Sequence, residues 1–302
     1  MRLDGPGVGL ARARRWNAAV LERLGVDEGM LGPVWVGPLD GDASPVPELR
    51  GARWLPPLGD GMCHNLGEAA IDGRVAVTVG TSGSVRSIVT GGEVEGPGDG
   101  LWRYRVDDEV VVTGGAVTSA GNVLEWVERE LGPVPWDAVE PARLAALPKA
   151  DPAVFGRRGP DYPWDAHGAV TGIGPATTRA DLALAFGVDV WRPFAGHLAA
   201  LRRALQVPVT DVVAAGGVLS NRPESAQLLA DALGVPVHRT AQDQPALVGA
   251  ALVAGVELEG GRGIRDTVAA IRARPPAAAE IVATVRPRPE ITAALAERWS
   301  DR

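Results

Sequence analysis

An aspartate between two glycines, Gly59-Asp60-Gly61, is followed by an alternating run, Arg74 to Val89, that turns at Gly80-Thr81-Ser82-Gly83. A carboxylate with no Cβ on either neighbour can approach a substrate hydroxyl closely and take its proton. A Gly/Thr/Ser turn presents backbone N–H and hydroxyl donors together, as a phosphate needs. In succession they suggest phosphoryl transfer to an alcohol. Taken separately, the first reads as an Asp turn and the second as an ordinary hairpin.

Two further glycine clusters follow. Gly114-Gly115-Ala116-Val117 leads through small residues to Gly121-Asn122 and an amphipathic stretch, Val123 to Leu131, with Trp126 inside it. Asp211 to Ala215 is an apolar strand that runs into Gly216-Gly217, with Asn221 shortly after. Glycines where a strand becomes a helix let a ligand or another backbone approach, and they leave helix N–H donors free. Next to Asp60, Asn65 reads equally as a substrate contact or a helix cap. His64 reads as a surface residue and Cys63 as a small buried group. Neither has a partner at metal-ligand spacing, so no protein metal site is expected.

The elements that must position these groups are legible from periodicity. Arg15 to Leu24 carries Trp16, Val20, Leu21 and Leu24 at helical spacing and ends at Gly25. Arg74 to Val89 reads as a hairpin. Leu101 to Asp107 and Glu109 to Thr113 read as strands around Asp107-Asp108. Thr178 to Leu205 reads as one long helix with Leu182, Phe186, Val190, Phe194 and Leu198 on one face, kinked or interrupted at Pro193. Glu224 to Leu233 is a helix ending at Gly234, Val235 to His238 a short strand, and Pro245 to Val256 a tightly packed buried helix. Residues 257–302 read as two helices around a Pro/Arg-rich link. Residues 1–10, Val34 to Val46 and Gly91 to Gly100 read as loops.

Composition narrows the chemistry. The 302 residues are 46% hydrophobic and 22% charged, which is globular. A net charge of −7 argues against a nucleic-acid groove or an anionic membrane surface. Cys63 is the only cysteine, which suits a reducing compartment, and the chain is expected to be cytoplasmic. No apolar run is long enough to span a bilayer. Lys149 is the only lysine and lies in a proline-bounded turn, which makes a Walker A loop, a protein-kinase strand lysine or a Schiff base unlike this chain.

These motifs resemble those of the FGGY carbohydrate kinases, and among them the gluconate kinases. The resemblance covers nearly the whole chain: the tryptophan helix, Gly59-Asp60-Gly61, the Gly80 hairpin, the Gly-Gly-Ala-Val step, Asp165 to Ile173, and Gly216-Gly217. It implies an α/β, actin-like ATPase (ribonuclease H-like) fold, with ATP and Mg²⁺ as cofactors and a sugar or sugar acid, foremost gluconate, as acceptor. By resemblance Asp60 is the general base, and Gly80, Thr81 and Gly83 hold the phosphates. Gly121 lies near the nucleotide with Glu125 beside it, and Gly216, Gly217 and Asn221 bind the adenosine. Residues 1–72 correspond to the end of the sugar-binding domain and 73–302 to the nucleotide-binding domain.

The chain also departs from the family's pattern. Arg157 stands where the family usually has Glu, and Phe186-Gly187 where it has Glu-Gly. Nothing matches the family's opening Asp-x-Gly-Thr-Thr-Ser hairpin, so roughly the first third of a full member is expected to be missing. Residues 1–72 are then expected to be less well packed than the rest. The alternatives to a kinase acting alone are a non-catalytic nucleotide-binding fragment, or one half of a split enzyme completed by a second copy or a partner chain.

Overall fold

The computed structural model describes residues 16, 18–31, 39–40, 46–55, 57–90, 100–106, 110–158, 165–205, 208–240, 244–261, 263–274 and 280–300. The loops expected at 1–10, across most of 34–46 and over most of 91–100 lie outside the described residues, as does Asp107-Asp108. In chain order the elements begin with helix α1 (Ala18–Leu24), strands β1 (Leu39–Asp40) and β2 (Arg53–Trp54), and helix α2 (Asp60–Gly67). Strands β3 (Arg74–Val79), β4 (Gly83–Thr90), β5 (Trp102–Arg105) and β6 (Val110–Val117) follow, then helices α3 (Gly121–Glu130) and α4 (Pro141–Ala146). Strands β7 (Lys149–Asp151) and β8 (Ala169–Thr171) pair with each other and precede α5 (Arg179–Asp189) and α6 (Arg192–Ala204). The remainder is β9 (Asp211–Ala215), α7 (Gly217–Asn221), α8 (Pro223–Leu233), β10 (Val237–Thr240), α9 (Pro245–Leu258), α10 (Gly263–Ala273), β11 (Ile281–Val285) and α11 (Pro289–Ser300).

Seven strands form one sheet in the order β11-β10-β9-β3-β4-β6-β5. β3, β4, β6 and β5 pair antiparallel in that order, whereas β9 lies parallel to β3 and β10 parallel to β9. Helices cover both faces, which is why Val75, Val77 and Val79 on one side of β3 and Ala76 on the other are all buried. One apolar cluster joins those three valines to α3, α5, α6, α8 and α11, with Trp191 and Phe194 at its centre. A smaller cluster on the opposite face joins Met62, Cys63 and Leu66 of α2 to Ile88, Val110, Val112, Val253 of α9, and Ile264, Val268 and Ile271 of α10.

Local chemistry explains several boundaries. Thr178 caps α5 in a reciprocal pair with Asp181. The long helix expected from Thr178 to Leu205 is two helices. Pro193 sits in the first turn of α6, where its missing N–H breaks no helical bond, so the break falls before it rather than at it. Gly234 ends α8 in the left-handed region, at φ 64°. α9 is not buried all round as expected: Pro245, Gly249 and Val253 form a buried stripe while Leu247 and Leu258 are exposed. Residues 257–302 also hold a strand, β11, that was not expected. It takes the sheet edge beside β10.

Packing changes sharply at Gly61. Among the described residues none before it is buried, and Leu24, Met30, Leu49 and Trp54 are exposed. From Gly61 to Ile71 nearly every residue is buried against the elements that follow. The seat of α2 is a backbone crossing with α9. A Cβ at Gly67 would overlap the Pro245 carbonyl, and one at Gly249 would overlap the Cys63 carbonyl. On the other face, the His197 ring of α6 lies on Gly115, with Nε2 3.3 Å from the Ala116 carbonyl oxygen. Burial holds the His197 pKa below the ordinary histidine value, and the hydrogen bond to Ala116 offsets this only in part.

Two outcomes follow from this packing. Gly249→Ala should cost at least about 1–3 kcal/mol in denaturant unfolding, whereas Gly255→Ala on the same helix, where a Cβ meets open space, should be neutral or gain up to about 1 kcal/mol. For His197, the unfolded chain binds the proton more readily than the folded one. Stability is therefore full above the unfolded pKa and falls as pH drops below about 6.5. His197→Gln should flatten that part of the stability–pH curve.

Candidate active site

The hairpin turn 80–83 lies between β3 and β4, at the end of β3 where its parallel neighbour β9 runs into Gly216. Gly216 adopts φ 124°, and a Cβ there would overlap the backbone of Val79. Only a glycine can follow β9 and lie so close to the strand beside it. The N-terminus of α3 closes the same corner. The Gly121 N–H donates to the Gly80 carbonyl at 2.9 Å and the Asn122 N–H to the Thr81 carbonyl at 3.1 Å. The Asn122 side chain accepts from the Ala120 and Val123 N–H groups at 2.8 and 2.9 Å. The expectation of free donors at this helix start is therefore corrected. Gly121 is buried, and a Cβ would stand 2.5 Å from the Gly80 oxygen and 2.7 Å from Val218 Cγ2. Its glycine serves to clamp the turn.

What this corner leaves open is specific. Thr81 is exposed and Ser82 half-buried, and among the described residues neither hydroxyl has a hydrogen-bond partner. Gly80 has room for an approaching group, but Gly83 does not, because its inner side is filled by the Phe194 ring. Gly217 and Asn221, at opposite ends of the single-turn α7, are both exposed, with Asn221 Nδ2 4.0 Å from where a Gly217 Cβ would be. Arg222, just beyond, makes a two-pronged ion pair with Glu128 of α3 at 2.9 and 2.6 Å. The pair holds Glu128 below the ordinary carboxylate range through the hydrogen bond to Arg222, despite some burial, and ties α3 to the start of α8.

Asp60 opens α2 on the face of the sheet that β4, β6 and β5 present to it. It is exposed, and its Oδ1 accepts from the Gly61 N–H at 2.7 Å. One turn on, His64 is not a surface residue but a largely buried link: its Nε2 lies 3.4 Å from Thr78 Oγ1 and 3.0 Å from Glu68 Oε2. Glu68 is fully buried and accepts from Thr240 Oγ1 at 3.3 Å. Asn65 is structural, donating to the Ala70 and Arg86 carbonyls at 3.4 and 3.3 Å.

Sequence reasoning missed Arg86 and Tyr104. Arg86 points from β4 toward α2, with Nη2 donating to Thr78 Oγ1 at 3.0 Å. A Cβ at Gly61 would be 3.2 Å from Arg86 Nη1 and 3.4 Å from Tyr104 Oη, and one at Gly59 3.3 Å from the same Oη. The two glycines beside Asp60 thus make room for these side chains, whereas the sequence suggested room for a substrate. The available signal is a lone arginine in a run of small and apolar residues, which strand alternation alone does not distinguish. Burial lowers the Arg86 pKa, opposed by the fields of Tyr104, Asp60 and Glu68. Burial raises that of Tyr104, opposed by Arg86. Among the described residues no group of three acidic, histidine or cysteine side chains could hold a metal ion, and no helix is long and apolar enough to cross a membrane.

Comparison with known proteins gives the geometry a context. A family model described as the C-terminal domain of the FGGY family of carbohydrate kinases matches residues 75–258. Gluconokinase of Bacillus subtilis (strain 168) is 30% identical over 175 residues, which is 52% of this chain and 34% of that protein. Glycerol kinase of Polaromonas naphthalenivorans is 27% identical over 262 residues, 81% of this chain and 52% of that one. The chain therefore spans between a third and about half of these curated relatives. Among solved structures, gluconate kinase from Lactobacillus acidophilus superposes with a TM-score of 0.75 at 20% identity, covering 95% of this chain and 59% of that one. Plasmodium falciparum glycerol kinase with ADP superposes at 0.72 and 16% identity, covering 95% and 58%.

The clamp makes a direct prediction. Gly121→Ala should drive α3 off the Gly80 carbonyl and shift the amide resonances of residues 79–83 and 216–218 together. Gly196→Ala, where a Cβ meets open space, should leave them in place.

Proposed function

We propose, from the premise that this chain belongs to the FGGY family of carbohydrate kinases, that it binds ATP and serves phosphoryl transfer to a hydroxyl of a sugar or sugar acid, foremost gluconate. Its fold is the actin-like ATPase fold of the solved family members. ATP is the phosphoryl donor of this family. The observation that carries the reading is the meeting of two glycine turns, 80–83 and 216–217, at one end of adjacent parallel strands.

In this reading the hydroxyls of Thr81 and Ser82, which have no partner among the described residues, hold phosphate oxygens, and preorganised donors of this kind stabilise charge without reorganising at the moment of reaction. Gly217 and Asn221 offer an open backbone and an amide to the nucleoside. Asp60, exposed at the start of α2, takes the proton of the acceptor hydroxyl. Such a base is worth about 10²–10⁴ in rate. Mg²⁺ has no preformed ligand set among the described residues. It fits as an ion carried on the nucleotide's own phosphates, and no step is assigned to it. We divide the labour near residue 72: the base that meets the acceptor comes from the segment before it, and the turns that meet the nucleotide from the segment after it.

A second reading is favoured by the exposed Leu24, Met30, Leu49 and Trp54. Exposed apolar side chains of this kind fit a further polypeptide, so the nucleotide-binding part works as one portion of a larger kinase.

Calorimetry with ADP and a coupled assay with gluconate, xylulose and glycerol test both. Asp60→Asn should lower gluconate-dependent ADP release by about 10²-fold or more and leave ADP affinity within about twofold. ADP binding with no turnover in the unaltered chain selects the second reading, and no ADP binding overturns both.

A further inference from the structure

Arg86 is placed as a charged donor beside the acceptor base, yet it is not paired with that base. Its Nη2 is committed to Thr78 Oγ1 at 3.0 Å. Its Nε is buried with no hydrogen-bond partner among the described residues. Its Nη1, beside Gly61, makes no hydrogen bond with any described residue, and among those residues Asp60 accepts from the Gly61 N–H alone. The site is built around this side chain. Gly61 leaves room for Nη1, and at Gly114 a Cβ would press on Arg86 Cγ at 3.0 Å and Cα at 3.1 Å. Tyr104, stacked on Trp102 at a ring separation of 5.5 Å, closes the side toward β5.

Charge determines what such a donor is for. Among the described residues the neighbouring ionisable side chains are the carboxylates of Asp60 and Glu68, the imidazole of His64, and the phenol of Tyr104. A negatively charged acceptor approaching Asp60 would be repelled by both carboxylates unless a cation met it, and an arginine with a spare N–H suits a carboxylate. A neutral polyol needs no such cation.

We propose that Arg86 is the specificity-determining residue of the acceptor site, its Nη1 receiving the carboxylate of a sugar acid while Asp60 faces a hydroxyl of the same molecule. This rests on the kinase reading above and adds the group that separates acidic from neutral acceptors.

The test is equilibrium binding to the full chain, with ADP, gluconate and glucitol as separate probes, glucitol being a neutral polyol of equal carbon number. The unaltered chain should bind gluconate about tenfold or more tightly than glucitol, and rising salt should weaken gluconate alone. Arg86→Met should remove that preference, with glucitol and ADP affinities held within about twofold, and Arg86→Lys should keep part of it. If Arg86→Met does not fold, the salt-sensitive preference in the unaltered chain and its reduction in Arg86→Lys decide. Equal affinity for the two acceptors, no binding of either while ADP binds, or a preference that survives Arg86→Met overturns the proposal and leaves the nucleotide reading standing. Failure of ADP itself to bind overturns that reading and the proposal with it.

Discussion

At the end of β3 three segments meet on bare backbone. Gly216 lies on Val79, Gly121 lies on the Gly80 carbonyl, and the α3 N-terminus spends its first donors on the hairpin turn. A Cβ at either glycine would need space already held by main chain, which cannot give way as a flexible side chain can. Because of that contact the two turns share one corner, and the hydroxyls of Thr81 and Ser82 remain as donors with no partner among the described residues. The same device recurs below, where Gly67 and Gly249 bring α2 against α9 and so fix the helix that begins with Asp60.

The two faces of the sheet do different work. The larger apolar cluster, under α3, α5, α6, α8 and α11, holds most of the buried apolar side chains. The C-terminal helix is locked there by Arg298, which donates to Asp189 at 2.7 Å through Nε and Nη2 and to the Leu144 and Leu147 carbonyls through Nη1. Asp189 also accepts from the Ala150 N–H and Trp299 Nε1. Bonding this complete offsets the desolvation cost of burying both charges, whereas a pair left half-bonded would be costly. The opposite face carries the polar run from Arg86 through Thr78 and His64 to Glu68 and Thr240. It is only partly satisfied: Arg86 Nε and Asn65 Oδ1 have no partner among the described residues. Incomplete pairing of this sort is tolerated where a site needs charge held near solvent.

Much of the architecture was legible beforehand because it depends on local rules. The hairpin is read from alternation around a glycine turn, the end of α8 from Gly234, and the family's fold from motifs spread along the chain. The errors were of another kind. α9 looked buried throughout because Ala and Gly are apolar on every side, and only its packing partner shows which stripe is covered. β11 was invisible because a short strand at a sheet edge has Ile281 and Val282 exposed and no clean alternation. His64 looked like a surface residue because its partners, Thr78 and Glu68, are contributed by a strand and by the far end of its own helix.

By itself the amino-acid order determined the positions of the turns, the isolated carboxylate at Asp60 and the kinship of the chain, since each is written in neighbouring residues. It did not determine what the glycines are for. Those flanking Asp60 suggested access for a substrate, and those at the start of α3 suggested free donors. In the folded molecule the first pair accommodates Arg86 and Tyr104, and Gly121 accommodates Gly80. The physical reason is that a missing Cβ declares only that space is needed, and which group occupies the space is decided by strands and helices distant in sequence.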